Sequence, residues 1–95
     1  MRMFLKVHME VEAANRAIND GSLPKIVQSF IEASKPEGIW FVGLDGKRTM
    51  VAVFDLVSTD RIPSLVEPFM VGLGAAIDLT PAMDMADLQK GLSNL

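Results

Sequence analysis

The feature that most constrains the fold is an Asp45-Gly46 dipeptide between two runs of β-branched and aromatic residues. The first run extends from Ile39 to Leu44 and the second from Lys47 to Leu56. Asp-Gly in this setting is typical of a two-residue type I′ turn, because both positions of that turn need positive φ angles. The sequence therefore predicts a β-hairpin here.

The two-residue turn also fixes which residues of the hairpin share a face. Leu44 is expected to pair with Lys47, Val42 with Thr49, and Trp40 with Val51. The opposite face would carry Ile39, Phe41, Met50, Ala52 and Phe54. Both faces are apolar, so helices can cover only one of them and the other needs a further partner.

A strand before the hairpin is predicted from Met3 to Glu10, where apolar and polar residues alternate. Met3, Leu5, Val7 and Met9 form the apolar face, and Phe4, Lys6, His8 and Glu10 form the other. Three ionisable residues beside an aromatic ring favour a polar-lined cavity on that second face. The alternative is that this face simply meets water.

Helices are predicted both before and after the hairpin in the sequence. The alanine-rich segment 11–20 forms a short helix or helical turn. Ser22-Leu23-Pro24 starts another helix, with Ser22 as its hydroxyl cap and Pro24 in its first turn, and this helix ends at Lys35-Pro36. Caps at Ser58-Thr59-Asp60 precede an apolar stripe of Ile62, Leu65, Val66, Phe69, Met70 and Leu73, which ends at Gly72 and Gly74. Pro68 lies inside that helix and is expected to kink it or expose a carbonyl near Ser64.

The chain is predicted to end in a strand and a short helix. The strand runs from Ala75 to Met83, with Asp78 and Thr80 on one face and Ile77 and Leu79 on the other. Asp84 then caps a helix whose apolar side carries Met85, Leu88 and Leu92. The whole order predicts one α+β domain over residues 1–95, with a ferredoxin-like βαββαβ arrangement, an antiparallel sheet of order 4-1-3-2 and a C-terminal helix.

Charge and composition exclude several classes of protein. The chain has 9 basic and 12 acidic residues and no basic cluster, so nucleic acid and anionic membranes are not expected partners. Without cysteine it has no disulfide, thiolate metal site or thiol nucleophile. No secretory signal and no spanning segment is recognised, so a cytoplasmic protein is expected. The 49% hydrophobic content favours an oligomer.

The strand pattern resembles that of the dimeric α/β-barrel superfamily, which includes muconolactone isomerase-like proteins and cofactor-free antibiotic-biosynthesis monooxygenases. Asn15-Arg16, Glu67-Pro68-Phe69, Thr80-Pro81 and Asp87-Leu88 are similar to segments of small stand-alone members. The resemblance implies a homodimer in which two sheets pack face to face. It also implies a small, often aromatic, ligand between sheet and helices or inside the barrel. No catalytic motif is shared.

Two residues are the candidate catalytic groups. His8 is the only histidine and the side chain that normally titrates near neutral pH, so it is a candidate general acid or base, with Glu10 or Asp78 setting its tautomer. Lys6 is a candidate for stabilising negative charge. The alternatives are a structural histidine held by a carboxylate and a cross-strand ion pair between Lys6 and Asp78.

Six further residues are candidate ligand contacts, namely Phe4, Glu10, Arg16, Trp40, Asp78 and Thr80. The aromatic residues are also expected in a core or interface, and Arg16 in a solvated helix. One histidine with scattered carboxylates has no metal-ligand spacing, and no phosphate loop or nucleotide fingerprint is present, so no metal or cofactor is expected.

The sequence thus leaves three functional hypotheses open. The first is a small-molecule binding dimer that acts as a cofactor-free isomerase, cyclase or monooxygenase. The second is a non-catalytic ligand-binding or regulatory module, and the third is a purely structural dimer. The sequence does not decide whether the protein is an enzyme.

Overall fold

The computed structural model describes all 95 residues. Its strands are β1 (Arg2–His8), β2 (Gly38–Leu44), β3 (Lys47–Asp55) and β4 (Ala76–Pro81). Its helices are α1 (Val11–Asp20), α2 (Ser22–Ser34), α3 (Ile62–Leu73) and α4 (Met85–Ser93), with a 3₁₀ turn at Thr59–Arg61. No helix has both the length and the apolar character needed to cross a membrane.

The four strands form one antiparallel sheet in the order β2-β3-β1-β4. This is the predicted order 4-1-3-2 read from the opposite edge, and the α+β class is confirmed. The two helices predicted between the first strand and the hairpin are both present as α1 and α2, so the full order is βααββαβα. The arrangement is compatible with a ferredoxin-like fold.

The hairpin has the predicted register. Leu44 pairs with Lys47 and Trp40 with Val51. Asp45 and Gly46 have φ angles of 54° and 73°, as a type I′ turn requires.

One face of the sheet is buried under the helices. Met3, Leu5 and Val7 of β1 pack there with Met50, Ala52 and Phe54 of β3. The helix layer meets the sheet at Phe30 of α2, whose ring lies edge-on to Phe54 at 5.7 Å and to Phe69 of α3 at 5.6 Å. These aromatic contacts hold α2 and α3 on the same side of the sheet.

Several element ends differ from the predictions. β1 ends at His8, because Glu10 caps α1 instead of continuing the strand. α2 has Gly21 before it, with φ of 82°, and Ser22 lies inside the helix, so Ser22 is not the cap. Asp20 accepts a hydrogen bond from the Ser22 N–H at 2.9 Å and satisfies that end.

The predicted caps Ser58-Thr59-Asp60 are wrong for α3, because this segment enters a 3₁₀ turn and the helix begins after Arg61 without a side-chain cap. α3 continues through Pro68 without a break and ends at Gly74, whose φ is 55°. β4 is shorter than expected at both ends. α4 starts after Asp84, whose carboxylate accepts a hydrogen bond from the Asp87 N–H at 2.8 Å. In return, the Asp84 N–H donates to the Asp87 carboxylate at 3.2 Å, which completes a capping box.

The aromatic contacts between the layers predict that removing a buried ring lowers the free energy of unfolding. Replacing Phe69 by Ala removes a fully buried ring and leaves a cavity, so we expect a loss of about 3–5 kcal/mol in the free energy of unfolding, measured by urea denaturation. Val71→Ala, at an 82% exposed position of the same helix, is the control and should change stability by about 0.5 kcal/mol or less. Similar losses in both variants would contradict the assigned core.

Candidate functional site

The face of the sheet away from α1, α2 and α3 has no helix over it, and we call it the open face. It carries, from one edge strand to the other, Trp40, Val42, Leu44, Lys47, Thr49, Val51, Val53, Phe4, Lys6, His8, Asp78 and Thr80. The side of β2 and β3 is mainly apolar, and the side of β1 and β4 is mainly polar. The strand register thus brings the predicted site residues on β1 together with Asp78 and Thr80.

His8 crosses the open face. Its Nε2 lies 3.0 Å from the backbone oxygen of Leu44, on β2, although β3 separates β1 from β2. The imidazole therefore extends over β3 beside its pairing partner Thr49, which is only 1% exposed despite lying on the open face. Neither Glu10 nor Asp78 is the hydrogen-bond partner, contrary to expectation.

The hydrogen bond from His8 to Leu44 determines the state of the ring. A carbonyl oxygen can only accept, so Nε2 must carry the hydrogen. In the neutral imidazole this leaves Nδ1 as the unprotonated nitrogen with a free lone pair. The geometry therefore presents His8 as a base through Nδ1, with its tautomer fixed by the backbone.

Lys6 and Asp78 form the cross-strand pair that was one of the two predicted alternatives. They are directly opposed in the β1–β4 register, and Lys6 Nζ lies 3.5 Å from Asp78 Oδ2. The Asp78 side chain is two-thirds exposed, so water screens the attraction and the pair contributes little to stability in the single chain. Phe4 and Thr80 form the next cross-strand pair along the same two strands.

Glu10 lies outside the open face. Its carboxylate accepts hydrogen bonds from Ala13 N–H at 2.6 Å and Glu12 N–H at 3.0 Å, at the start of α1. These hydrogen bonds stabilise the charged carboxylate and so lower the pKa of Glu10, the Ala13 bond more than the Glu12 bond. The positive charge of Arg16 lowers it further. Its proposed contact with a ligand stays a prediction, but the carboxylate already has a structural role.

Arg16 and Trp40 lie in different layers of the fold. Arg16 is an exposed residue of α1, in the helix layer, and does not join Lys6 and His8. Trp40 lies on the open face, 56% exposed, and its indole folds back over Gly38 into the space that a side chain at position 38 would occupy. The sheet edge therefore presents a broad aromatic surface, and Gly38 permits it.

Neither Lys6 nor His8 lines a cavity of the single chain. The largest, about 650 Å³, lies where β1 and β4 meet the start of α4 and includes Arg2 and Glu37. An apolar hollow of about 310 Å³ lies where the helix layer stops short of β2, with Phe41, Leu23 and Arg48 in its wall. No group of three or more His, Asp or Glu side chains lies close enough together to hold a metal ion.

Three groups near these sites were not predicted from the sequence. They are the Leu44 carbonyl, Thr49 beneath His8, and Arg48, whose Nη1 donates to Asn15 Oδ1 at 2.9 Å. Pairing His8 with Thr49 would have followed from aligning β1 to the hairpin, but no sequence signal marks a backbone oxygen two strands away. Arg48 carried no signal because single charged residues are common on strands.

The cap formed by Glu10 predicts a pH effect on stability. A carboxyl whose pKa is lower in the folded state stabilises the protein above its ordinary pKa, and this stabilisation is lost as the pH falls through the folded-state value. Glu10→Gln should therefore lower the urea midpoint at pH 7, and its difference from the unchanged protein should shrink in acid. Glu12→Gln is the control, since the Glu12 carboxylate accepts no hydrogen bond. An equal effect of the two changes at pH 7 would exclude the cap.

Comparison with known proteins does not assign the chain to a family. No protein-family model matches the chain, and no curated protein matches it either. What the structure shows is an antiparallel four-stranded sheet with helices on one face, which is compatible with a ferredoxin-like fold. Any assignment of function therefore depends on what the open face can do.

Proposed function

We propose that the protein is a homodimer of the dimeric α/β-barrel type, in which the open faces of two copies enclose a small organic molecule. The molecule is aromatic or carbonyl-bearing, His8 transfers a proton to or from it, and Lys6 stabilises the negative charge that develops. The observation that carries the proposal is the His8 bond to Leu44 O, which leaves Nδ1 free on a face that needs a cover.

The apolar half of the open face supports the dimer. Trp40, Val42 and Leu44 are each 40% or more exposed, and they adjoin the half-buried Val51 and Val53. A continuous apolar patch of this kind on a small domain marks a protein interface. The contacts among Phe30, Phe54 and Phe69 hold α2 and α3 on the opposite face of the sheet. These helices therefore do not cover the apolar half of the open face.

The polar half supports a site within that dimer. Covering Lys6, Asp78 and His8 by a second sheet removes water, and charges then act more strongly on each other and on a ligand. Lys6 has three donors and Asp78 occupies one direction at 3.5 Å, so the ammonium retains donors for a carbonyl or enolate oxygen. Phe4 stands beside them as an apolar wall.

The chemistry that fits these groups is proton abstraction next to a carbonyl. The Nδ1 lone pair of His8 takes the proton from carbon, the C–H electron pair forms an enolate, and Lys6 stabilises the enolate oxygen. Return of the proton to another carbon is an isomerisation, and attack of the enolate on an internal electrophile is a cyclisation. Reaction with dioxygen would be an oxygenation, with O2 as the co-substrate.

A second candidate function is a non-catalytic binding module. Lys6 is paired with Asp78, and His8 Nε2 is hydrogen-bonded to Leu44 O, so these polar groups have partners without any ligand, as in a structural network. The hollow at Phe41, Leu23 and Arg48 has the size and apolar character for a small ligand and lies on the helix side of the sheet. Ligand binding that depends on Arg48 and not on His8 would favour this function.

The proposed dimer predicts different effects from two adjacent aromatic residues. Trp40 and Phe41 are 56% and 58% exposed, but Trp40 lies on the open face and Phe41 on the helix side. Light scattering should give twice the 10.4 kDa chain mass for the unchanged protein and for Phe41→Asp. Trp40→Asp should give the single-chain mass, because a charge cannot be buried unpaired in the interface. A dimeric Trp40→Asp, or a monomeric unchanged protein, would contradict the proposal.

The proposed base predicts catalysed exchange of carbon-bound hydrogen. Dimers should first be examined by native mass spectrometry for a small molecule retained from the cell. Aryl ketones and aryl 2-oxo acids can then be incubated in D2O, with loss of the enolisable proton followed by NMR. His8→Gln keeps a donor for Leu44 O but lacks the base, so we expect exchange to fall roughly 10²–10⁴-fold.

Two readouts separate the functions in that experiment. A melting temperature close to that of the unchanged protein would show that His8→Gln still folds. Unchanged exchange in that variant would exclude His8 as the base. A retained ligand with no catalysed exchange in either protein would support the binding module instead.

A further inference from the structure

The C-terminal helix α4 is an amphipathic helix without a partner in its own chain. None of its residues is buried, although α1, α2 and α3 each bury residues in the core. The molecule measures 50 × 28 × 18 Å, which is long for 95 residues. A radius of gyration of 14.8 Å exceeds the roughly 12 Å expected for a compact chain of this length.

The pattern of α4 shows which side needs a cover. Met85, Leu88 and Leu92 follow one another at i, i+3 and i+7 and share one side, and all are exposed. Lys90 lies on the opposite side. The helix has only nine residues, and isolated helices shorter than about 12–15 residues are marginal in water. The capping box at Asp84 helps, but packing must supply the rest of its stability.

We propose that α4 packs its Met85, Leu88 and Leu92 side onto a second copy of this chain, as an arm exchanged between the two protomers. This rests on the homodimer of the proposed function and adds the element that completes its interface. The occupant of the apolar side is thus the partner protomer, and each copy gives one arm and receives one.

The position of α4 in the chain supports a second copy as the occupant. α4 begins four residues after β4, the edge strand that carries Asp78 and Thr80 on the open face. The connection is tied to the sheet by the Ala82 N–H bond to Arg2 O at 3.0 Å and by Arg2 Nη1 at 3.3 Å from Asp84 Oδ2. The arm therefore leaves from the border of the face on which the second copy would lie.

The area of the open face gives an independent reason. Four strands about 4.8 Å apart and some seven residues long have a footprint of roughly 900 Å² when both copies are counted. This falls below the roughly 1,200–2,000 Å² that specific, stable interfaces bury. Two α4 arms and the surfaces beneath them add roughly 500 Å², which brings the total to about 1,400 Å², within that range.

The charges of α4 argue against a membrane as the occupant. Membrane-surface helices carry lysine and arginine on their polar side. α4 has Lys90 as its single basic residue, with Asp84 at its N-cap and Asp87 in its first turn. These carboxylates would repel anionic lipid, whereas they suit a helix packed on protein.

The test compares charge placed on the two sides of α4. Leu88→Glu combined with Leu92→Glu puts two carboxylates on the apolar side, and Lys90→Glu puts one on the opposite side. Sedimentation equilibrium of full-length protein should show a dimer dissociation constant raised roughly 100-fold or more by the double change, and changed less than about threefold by Lys90→Glu. Hydrogen exchange of segment 85–93 should be slow in the dimer and become fast on dilution to monomer.

The outcomes separate the arm from the sheet-to-sheet dimer. An unchanged dissociation constant in the Leu88/Leu92 variant, with Trp40→Asp monomeric, would overturn the arm and leave the dimer standing. Fast exchange of segment 85–93 at all protein concentrations would also overturn it. Binding of the unchanged protein to anionic vesicles that the double change abolishes, without any effect on the dimer, would assign the helix to a membrane and overturn the proposal.

Discussion

The edge-on contacts of Phe30 with Phe54 and Phe69 are the interaction on which the rest of the structure depends. They join α2 to the sheet and to α3 at one point, so the helix layer lies wholly on one face. A four-stranded sheet covered on one face leaves the other uncovered, and in this chain that other face is not a polar surface. The open face and the exposure of Trp40, Val42 and Leu44 on it follow from this one-sided packing.

The sequence predicts the framework because its signals there are local. Asp45-Gly46 sets the hairpin register through two positive φ angles, and alternation sorts β1 into a buried and an open face. Lys6 opposite Asp78 follows from the sheet order alone. Glu10 was placed on the strand because alternation continues through Met9, but its carboxylate gains two backbone N–H bonds by capping α1. Such competition between strand and cap is decided by three-dimensional context.

The partner of His8 illustrates what a sequence pattern cannot contain. A periodicity specifies the face of a side chain, whereas the Leu44 carbonyl is a backbone atom two strands away. Its approach depends on sheet twist and on the side-chain torsions that carry the ring over Thr49. The uncovered state of α4 was equally outside the pattern, since an apolar stripe predicts that a helix packs but not on which molecule. The surroundings of His8 therefore depend on the three-dimensional arrangement of the sheet and not on the periodicity of the sequence.

The indole that lies over Gly38 has a further consequence. The chain contains one tryptophan and no tyrosine, so fluorescence excited near 295 nm arises from Trp40 alone. Because the absence of a side chain at Gly38 lets the ring lie along the strand, the chromophore is held on the open face at the edge of the sheet. The protein thus contains its own optical reporter, whose emission shifts to the blue when water leaves that face. The proposed association of two open faces could therefore be followed without a label.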